Sequence, residues 1–495
     1  MPENLKALAV IIFLATIVFT FAGRYVCATT QYEDFTRRRN LWFMLTIAAF
    51  LAHNFLLYTL IAIPLVIFAN RREHSAPSLY FFLVFVLPSA HFLIPGMGGI
   101  NYFLDLTYQR LLTLIILLPA FFALRRQSDI TSFGRSGTDK LLIAYLLLNV
   151  VIYFFNTTLT DSLRNDFYLL IDIFLPYFVI SRSLKNLPAF RDALLSLVLA
   201  IMVLAPLAVF ESMKHWLLYS VVTRELGFEQ QSMTEYLMRD GIIRAIATAG
   251  QPIALGYLMV VGMGLYIFLQ HSIEHKLIRR LGMSLLAAGL ISSLSRGPWI
   301  GALVLFVAYI ATGRYAIRRI MSLALMAMLV LPLLSILPRG ERAINLLPFI
   351  GTTEKETIDY RERLITNSMI VIKRNPWFGS KDYLKAPEMQ AMRQGQGIID
   401  IVNSYIGLAL TQGLVGLVLF VSFFALTLLG IYRAMRLIPD KDSEEYLLGR
   451  VLLATLLAIL IIIFTASSIT IIPIVYWSFA GMGIAYVQMV RKNTT

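Results

Sequence analysis

Cysteine is nearly absent. Cys27 is the single one in 495 residues, which excludes an internal disulfide framework and a cysteine metal site. Charge is scarce too: 15% of the residues are charged against 58% hydrophobic, and mean hydropathy is +0.73. A chain of that balance cannot hide its apolar side chains in a soluble core. The apolar runs show no two-residue alternation, which excludes a membrane barrel and leaves helical spans, the other backbone arrangement a bilayer accepts. No repeat of fixed period is visible and the two halves do not echo each other, which argues against a transporter built from internal repeats. Nucleic acid is disfavoured as a partner. The net charge of +14 comes from arginines and lysines spread over many short loops, with no basic helix or stacking module.

What is present is a series of long apolar runs, each span needing about twenty residues. Candidates lie near 5–23, 41–69, 79–103, 110–124, 140–156, 167–181, 193–210, 251–270, 281–295, 298–313, 320–337, 404–432, 450–468 and 470–490. The expected fold class is all-α, a polytopic membrane protein of 12–14 transmembrane helices with one large outer loop containing amphipathic helices. The chain divides into helices with short loops at 1–337, the large loop at 338–402, and C-terminal helices at 403–495. The first apolar run follows one lysine and precedes no small-residue cleavage site, so it is expected to stay as a span. Basic residues in short loops mark the cytoplasmic side. Arg71-Arg72, Arg125-Arg126, Arg182, Lys276, Arg279-Arg280, Arg433 and Arg491-Lys492 then share that side, with both termini cytoplasmic. Arg24 and Arg37-Arg38-Arg39 disagree, since they fall outside on this count.

Three polar patches face the other side. The first is Gly241-Ile242-Ile243-Arg244-Ala245, just before Gly250-Gln251-Pro252 opens a span. The second is Ser292-Ser293-Leu294-Ser295-Arg296-Gly297-Pro298-Trp299, where two spans meet with hardly any loop and hold Arg296 close to the membrane. The third is the large loop. From Arg361 the residues Leu364, Ile365, Met369 and Ile372 recur at helical spacing and predict an amphipathic interfacial helix closed by Asn375-Pro376. The bland readings are a snorkelling rim arginine for Arg244, a structural cation for Arg296, and a lipid anchor for the loop helix. Trp377 and Phe378 read as interface belt residues or as a sugar-stacking platform. The chemical reading is that guanidinium groups, always protonated, grip phosphate oxygens bidentately and neutralise a departing diphosphate. The outer loops hold no Asp, Glu and His cluster with ligand spacing, so neither a metal nor another cofactor is expected.

Taken together, Ser295-Arg296-Gly297, Tyr360-Arg361 with Leu364, Asn375-Pro376-Trp377-Phe378-Gly379, and Asn403-Ser404-Tyr405 followed by Gly413 and Gly416 resemble the O-antigen ligase and polysaccharide polymerase superfamily of bacterial envelope proteins. The pieces occur in the family's order. The resemblance implies a metal-independent membrane glycosyltransferase of the bacterial inner membrane. It would take a glycan from an undecaprenyl diphosphate carrier at the periplasmic face and pass it to an acceptor sugar hydroxyl. Its partners would be that carrier-linked glycan, membrane lipids and other polysaccharide assembly proteins. Arg296 and Arg361 match family positions that hold the carrier phosphates, and Arg244 is similar in placement; Arg363, Asn403 and Tyr405 complete the candidate substrate-binding set. One departure matters. Family ligases carry a histidine immediately before the asparagine of Asn-Ser-Tyr as proposed general base, and here that residue is Val402. Asp400 and Glu362 are the nearest acidic candidates to activate an acceptor, with Asp400 equally able to cap the following helix.

The leading reading is a polymerase adding lipid-linked repeat units to a growing chain. The alternative within the superfamily is a ligase transferring finished glycan to lipid A core or another acceptor. From a different class come a lipid or solute transporter, for which Asp172, Asn54, His53 and His91 are the polar residues near or within spans, and a non-catalytic scaffold. Each of those polar residues also has a plain structural reading as a hydrogen-bond partner for a neighbouring helix.

Overall fold

A computed structural model of the chain describes residues 2–26, 31–88, 91–96, 101–128, 130–226, 237–239, 241–322, 325, 328, 355–394, 397–469 and 471–494. Cys27, Gly395, Gln396 and most of the expected span at 320–337 lie outside the described residues. The architecture is all-α and multi-pass, with two small two-stranded sheets in the loops. Eight helices among the described residues are long and apolar enough to cross a membrane, and Phe55–Asn70 and Arg296–Ala311 are shorter apolar ones.

The first helices are α1 (Glu3–Val26), α2 (Tyr32–Leu51) and α3 (Phe55–Asn70). The apolar run at 41–69, expected as one span, is two helices. The chain leaves helical geometry at Ala52, and Asn54 starts α3 by accepting a bond from the Leu57 amide at 2.8 Å, the usual service of an N-cap asparagine. The expected span at 79–103 is corrected in a similar way: α4 (Ala76–Leu83) stops early, and a hairpin of β1 (His91–Pro95) and β2 (Tyr102–Thr107) follows. The unwound stretch after α4 is buried, so its carbonyls need donors. The Tyr108 hydroxyl serves Leu83 at 3.1 Å, the Thr248 hydroxyl serves Phe85 at 2.7 Å, and the Gln109 amide reaches Val84 and Leu87.

Then come α5 (Tyr108–Arg125), α6 (Gly137–Asn156), and α7 (Leu159–Tyr168), which passes through a π-helical turn at Leu169–Phe174 into α8 (Leu175–Ser183). Next are α9 (Leu187–Lys214), α10 (Ser220–Glu225), β3 (Met238–Arg239), β4 (Ile242–Ile243), α11 (Pro252–Leu269), α12 (Lys276–Ser292) and α13 (Arg296–Ala311). The large loop contributes α14 (Lys355–Arg374) and the single turn α15 (Pro387–Gln390) before α16 (Ser404–Leu437), α17 (Glu444–Ile463) and α18 (Ile472–Thr494). Helices α9, α11, α17 and α18 form the centre, where Leu204, Tyr257, Leu258, Ala454, Ile459 and Trp477 are buried.

Two ends of the bundle follow from its contacts. One end holds the turns after α6, α9, α12 and α17 together with the large loop; the other collects most of the basic residues. Arg38, 2% exposed, is bound at that other end to Glu73 at 2.6 Å and Asp192 at 2.7 Å, and Arg37 pairs with Asp34. The discordant arginines of α2 therefore sit with the other cations. The reason is the extra helix created by the break at 52–54, which adds one crossing. Asn4 at the start of α1 accordingly donates to Glu225 at 2.6 Å, beyond the end of α9, while α18 starts near the large loop and runs away from it. Asn4 and Thr494 thus lie at opposite ends of the bundle.

Candidate functional site

The large loop is fastened to a break in α16. At Gly413 the backbone takes φ 67° and ψ −171°, a region open essentially to glycine. A helix broken inside the bundle leaves amides and carbonyls without their usual partners. The segment after α14 supplies them: Leu414 N–H donates to Pro376 O at 2.7 Å, Val415 N–H to Trp377 O at 3.2 Å, and Ser380 N–H to Leu410 O at 2.8 Å. A Cβ on Gly413 would lie 2.2 Å from Trp377 O, so nothing larger than glycine fits. The backbone of Pro376-Trp377-Phe378-Gly379 is thus docked into the helix, while the Trp377 and Phe378 side chains stay exposed.

Helix α14 is held by a small core of its own. Leu364, Val371 and Ile372 pack with Met389, Met392, Ala409 and Leu410, each fully buried aliphatic side chain contributing roughly 1.5–3 kcal/mol. The expected apolar face is corrected in part: Ile365 and Met369 point outward, each 49% exposed, because the helix docks on protein through the face that carries Leu364 and Ser368. Near the start of the helix Asp359, Tyr360, Arg361 and Arg363 line a cavity of about 730 Å³, with Tyr360 also packed on the small core.

That cavity is walled by pieces distant in sequence. Arg239 and Arg244 come from the β3–β4 hairpin and the residue after it, Gln251 to Ile253 from the start of α11, Met392 to Gln394 from beyond α15, Asp400 and Val402 from the approach to α16, and Ala466 and Ser467 from beyond α17. Five arginines (239, 244, 361, 363 and 393) line it against two aspartates (359 and 400). Arg244 is fixed by donating to Ser295 Oγ at 2.9 Å and toward Ser293 O at 3.4 Å, and Arg239 donates to Leu294 O. Asp400 accepts from the Ser467 hydroxyl at 2.8 Å, and the Tyr360 hydroxyl bridges its backbone, donating to Asp400 O at 2.9 Å and accepting from Asp400 N at 3.2 Å. Burial pushes the Asp400 carboxyl above its ordinary value, while the Ser467 bond and the Arg361 charge pull the other way.

Of the residues expected from sequence, Arg244, Arg361, Arg363 and Asp400 meet at this cavity, and Val402 lines it beside Asp400. Arg296 opens α13 next to the Ser295 that holds Arg244, half-buried and not among the lining residues. Glu362 is exposed on α14 and is likewise not among them. Asn403 and Tyr405 are engaged elsewhere. The Asn403 side chain caps α16 by accepting from the Tyr405 and Ile406 amides at 2.9 and 3.1 Å, and the Tyr405 hydroxyl donates to Leu460 O at 3.0 Å. Arg239, Arg393 and Ser467 are additions. Arg393 stands two residues before the Gly395-Gln396-Gly397 stretch of the large loop, whereas nothing in the sequence marks Ser467, a serine at the end of an apolar run. Asp172 pairs with Arg110 at 2.8 Å, the neighbour-helix partnership that the plain reading gives it. Among the described residues no group of three or more His, Cys, Asp or Glu is placed to hold a metal ion.

Fold and site define a multi-pass helical membrane protein with an arginine-lined cavity at one end of the bundle. Residues 281–421 match the family described as O-Antigen ligase, a match over this stretch that supports a relation to the O-antigen ligase and polymerase superfamily. The matched family implies a glycosyltransferase-like activity. No curated protein matches the chain. The matched stretch supplies Arg361, Arg363, Arg393, Asp400, Val402 and the Gly413 break; Arg239, Arg244 and Ser467 lie outside it.

Proposed function

We propose that the chain is a polysaccharide polymerase, joining glycan repeat units carried on undecaprenyl diphosphate at the periplasmic face of the bacterial inner membrane. The observation that carries the reading is the gathering of five arginines and Asp400 around one cavity. The cavity has the charge to receive a diphosphate and, in Asp400, a carboxylate to receive a proton. Most basic residues of the short loops collect at the other end of the bundle, which by the positive-inside rule turns the cavity outward.

In the proposed reaction the acceptor sugar hydroxyl attacks the anomeric carbon of the donor glycan. A new carbon–oxygen bond forms as the bond from that carbon to the diphosphate oxygen breaks. The hydroxyl proton passes to Asp400, and the bonding electrons leave on the carrier diphosphate. Arg244 and Arg361 neutralise the charge that grows on the leaving group, with a bidentate grip that lysine cannot reproduce. Asp400 suits the base role because it reaches the cavity beside Val402, where no titratable group stands. Its raised pKa also brings its basicity closer to the operating pH. The residues present suit charge neutralisation by guanidinium groups.

The alternative is a ligase passing finished glycan to a distinct acceptor such as lipid A core. Purified protein given a single lipid-linked repeat unit separates the two. Products two and more units long support polymerisation; transfer to an added acceptor alone supports ligation; no transfer under either condition overturns both.

A further inference from the structure

Arg244 stands on a segment whose shape is set from below by a buried acid. Glu211, in the last turn of α9, is 0% exposed. One carboxylate oxygen accepts from the Leu218 amide at 3.0 Å, and the other accepts from the Ile246 and Ala247 amides at 3.0 and 2.8 Å. Ala247 has φ 44°, a left-handed conformation that a residue with a side chain adopts only when its surroundings enforce it. No arginine or lysine forms an ion pair with Glu211 among the described residues, so three backbone donors are what this carboxylate has. Arg244 itself is two residues before the first of the 246–247 pair and reaches Ser295 across the cavity wall.

We propose that Glu211 is the positioning residue of the diphosphate site: by gathering the amides of Ile246 and Ala247 it holds the 244–248 segment so that the Arg244 guanidinium faces the bound carrier phosphate. The proposal rests on the reading of Arg244 as a carrier-phosphate ligand. Its chemical core is the count of acceptors. A carboxylate presents acceptor oxygens on both sides, whereas a glutamine side chain presents one oxygen and one amino group. In Glu211→Gln that amino group must face either the Leu218 amide or the Ile246 and Ala247 pair, donor against donor, and the buried amides lose their partner. Aspartate keeps both oxygens on a shorter stem.

The test measures binding of undecaprenyl diphosphate to the purified full-length chain in detergent, with thermal unfolding as the check of folding. Glu211→Gln is expected to weaken binding about tenfold, Arg244→Ala by at least as much, and the double variant no more than Arg244→Ala alone, because both changes remove one contact. Glu211→Asp is expected to recover part of the affinity. Normal binding by folded Glu211→Gln while Arg244→Ala binds poorly overturns the positioning role alone, as does full additivity in the double variant. Normal binding by Arg244→Ala overturns the reading of Arg244 and the positioning role with it. Should neither Glu211→Gln nor Glu211→Asp accumulate as folded protein, the carboxylate serves the fold as a whole and the proposal is overturned.

Discussion

In the proposed reaction Asp400 takes the proton, and its surroundings set the direction of the expected pH dependence. A carboxylate must be ionised to accept a proton, so the rate rises as pH climbs through its pKa. Burial raises that pKa, which places the acid limb of kcat/KM above the ordinary aspartate value of about 3.9. The Ser467 hydroxyl stabilises the ionised form. Ser467→Ala is therefore expected to move the acid limb to higher pH, and Asp400→Asn to lower polymer output at least a hundredfold, in the range of lost general base catalysis of roughly 10²–10⁴. A pH profile of polymer formation checks both, and an unmoved limb in Ser467→Ala removes Asp400 from the reaction. Arg361→Lys keeps the charge and loses the fork, so a drop of about tenfold or more is expected; unchanged synthesis would favour a non-catalytic scaffold. At this scale the sequence was partly legible. Arg244, Arg361 and Asp400 were readable because cations and acids in an apolar chain stand out. Asn403 shows the limit, since an asparagine before a helix caps it as readily as it binds sugar, and only the two amides on its oxygen decide.

The docking of the loop into α16 explains why two glycines far apart in sequence matter together. Gly379 has φ 66°, and a Cβ there would lie 2.5 Å from Leu410 O; Gly413 faces Trp377 O across the same junction. In Gly413→Ala the strain of the backbone region alone costs about 1–3 kcal/mol, and the clash with Trp377 O adds to it. The expected outcome is a protein that still inserts in the membrane but releases the loop. Cleavage between 381 and 394 under limited proteolysis should increase several-fold, and transfer should fall with it because α14 carries Arg361 and Arg363. An uncleaved, active Gly413→Ala would show that the junction is dispensable. The motif pieces were visible in the sequence as Asn375 to Gly379 and Gly413 to Gly416, but their meeting was not. Backbone hydrogen bonds leave no side-chain pattern to read, and α14 itself was mis-faced, since the pattern includes Ile365 and Met369 and the docking face runs through Ser368.

For the molecule as a whole, the decisive feature is the three-residue interruption at Ala52-His53-Asn54. Hydropathy does not break there, because α2 and α3 are apolar on both sides of the turn, so a window of about twenty residues reads through it. The capping asparagine was the available signal. One missed turn changes the parity of every crossing before it, which is why Arg24 and Arg37 to Arg39 looked misplaced against the other cations. The fold makes a prediction that membrane-impermeant maleimide can check after replacing Cys27 with serine. Glu3→Cys and the cavity-rim variant Arg393→Cys should both react in intact spheroplasts, while Asn493→Cys should react only after permeabilisation. Labelling of Glu3→Cys together with Asn493→Cys would mean that α2 and α3 are one span after all. The Asn4–Glu225 contact and the burial of Arg38 between Glu73 and Asp192 would then have no common arrangement, because one requires α1 to begin at the cavity end and the other requires α2 to begin opposite it.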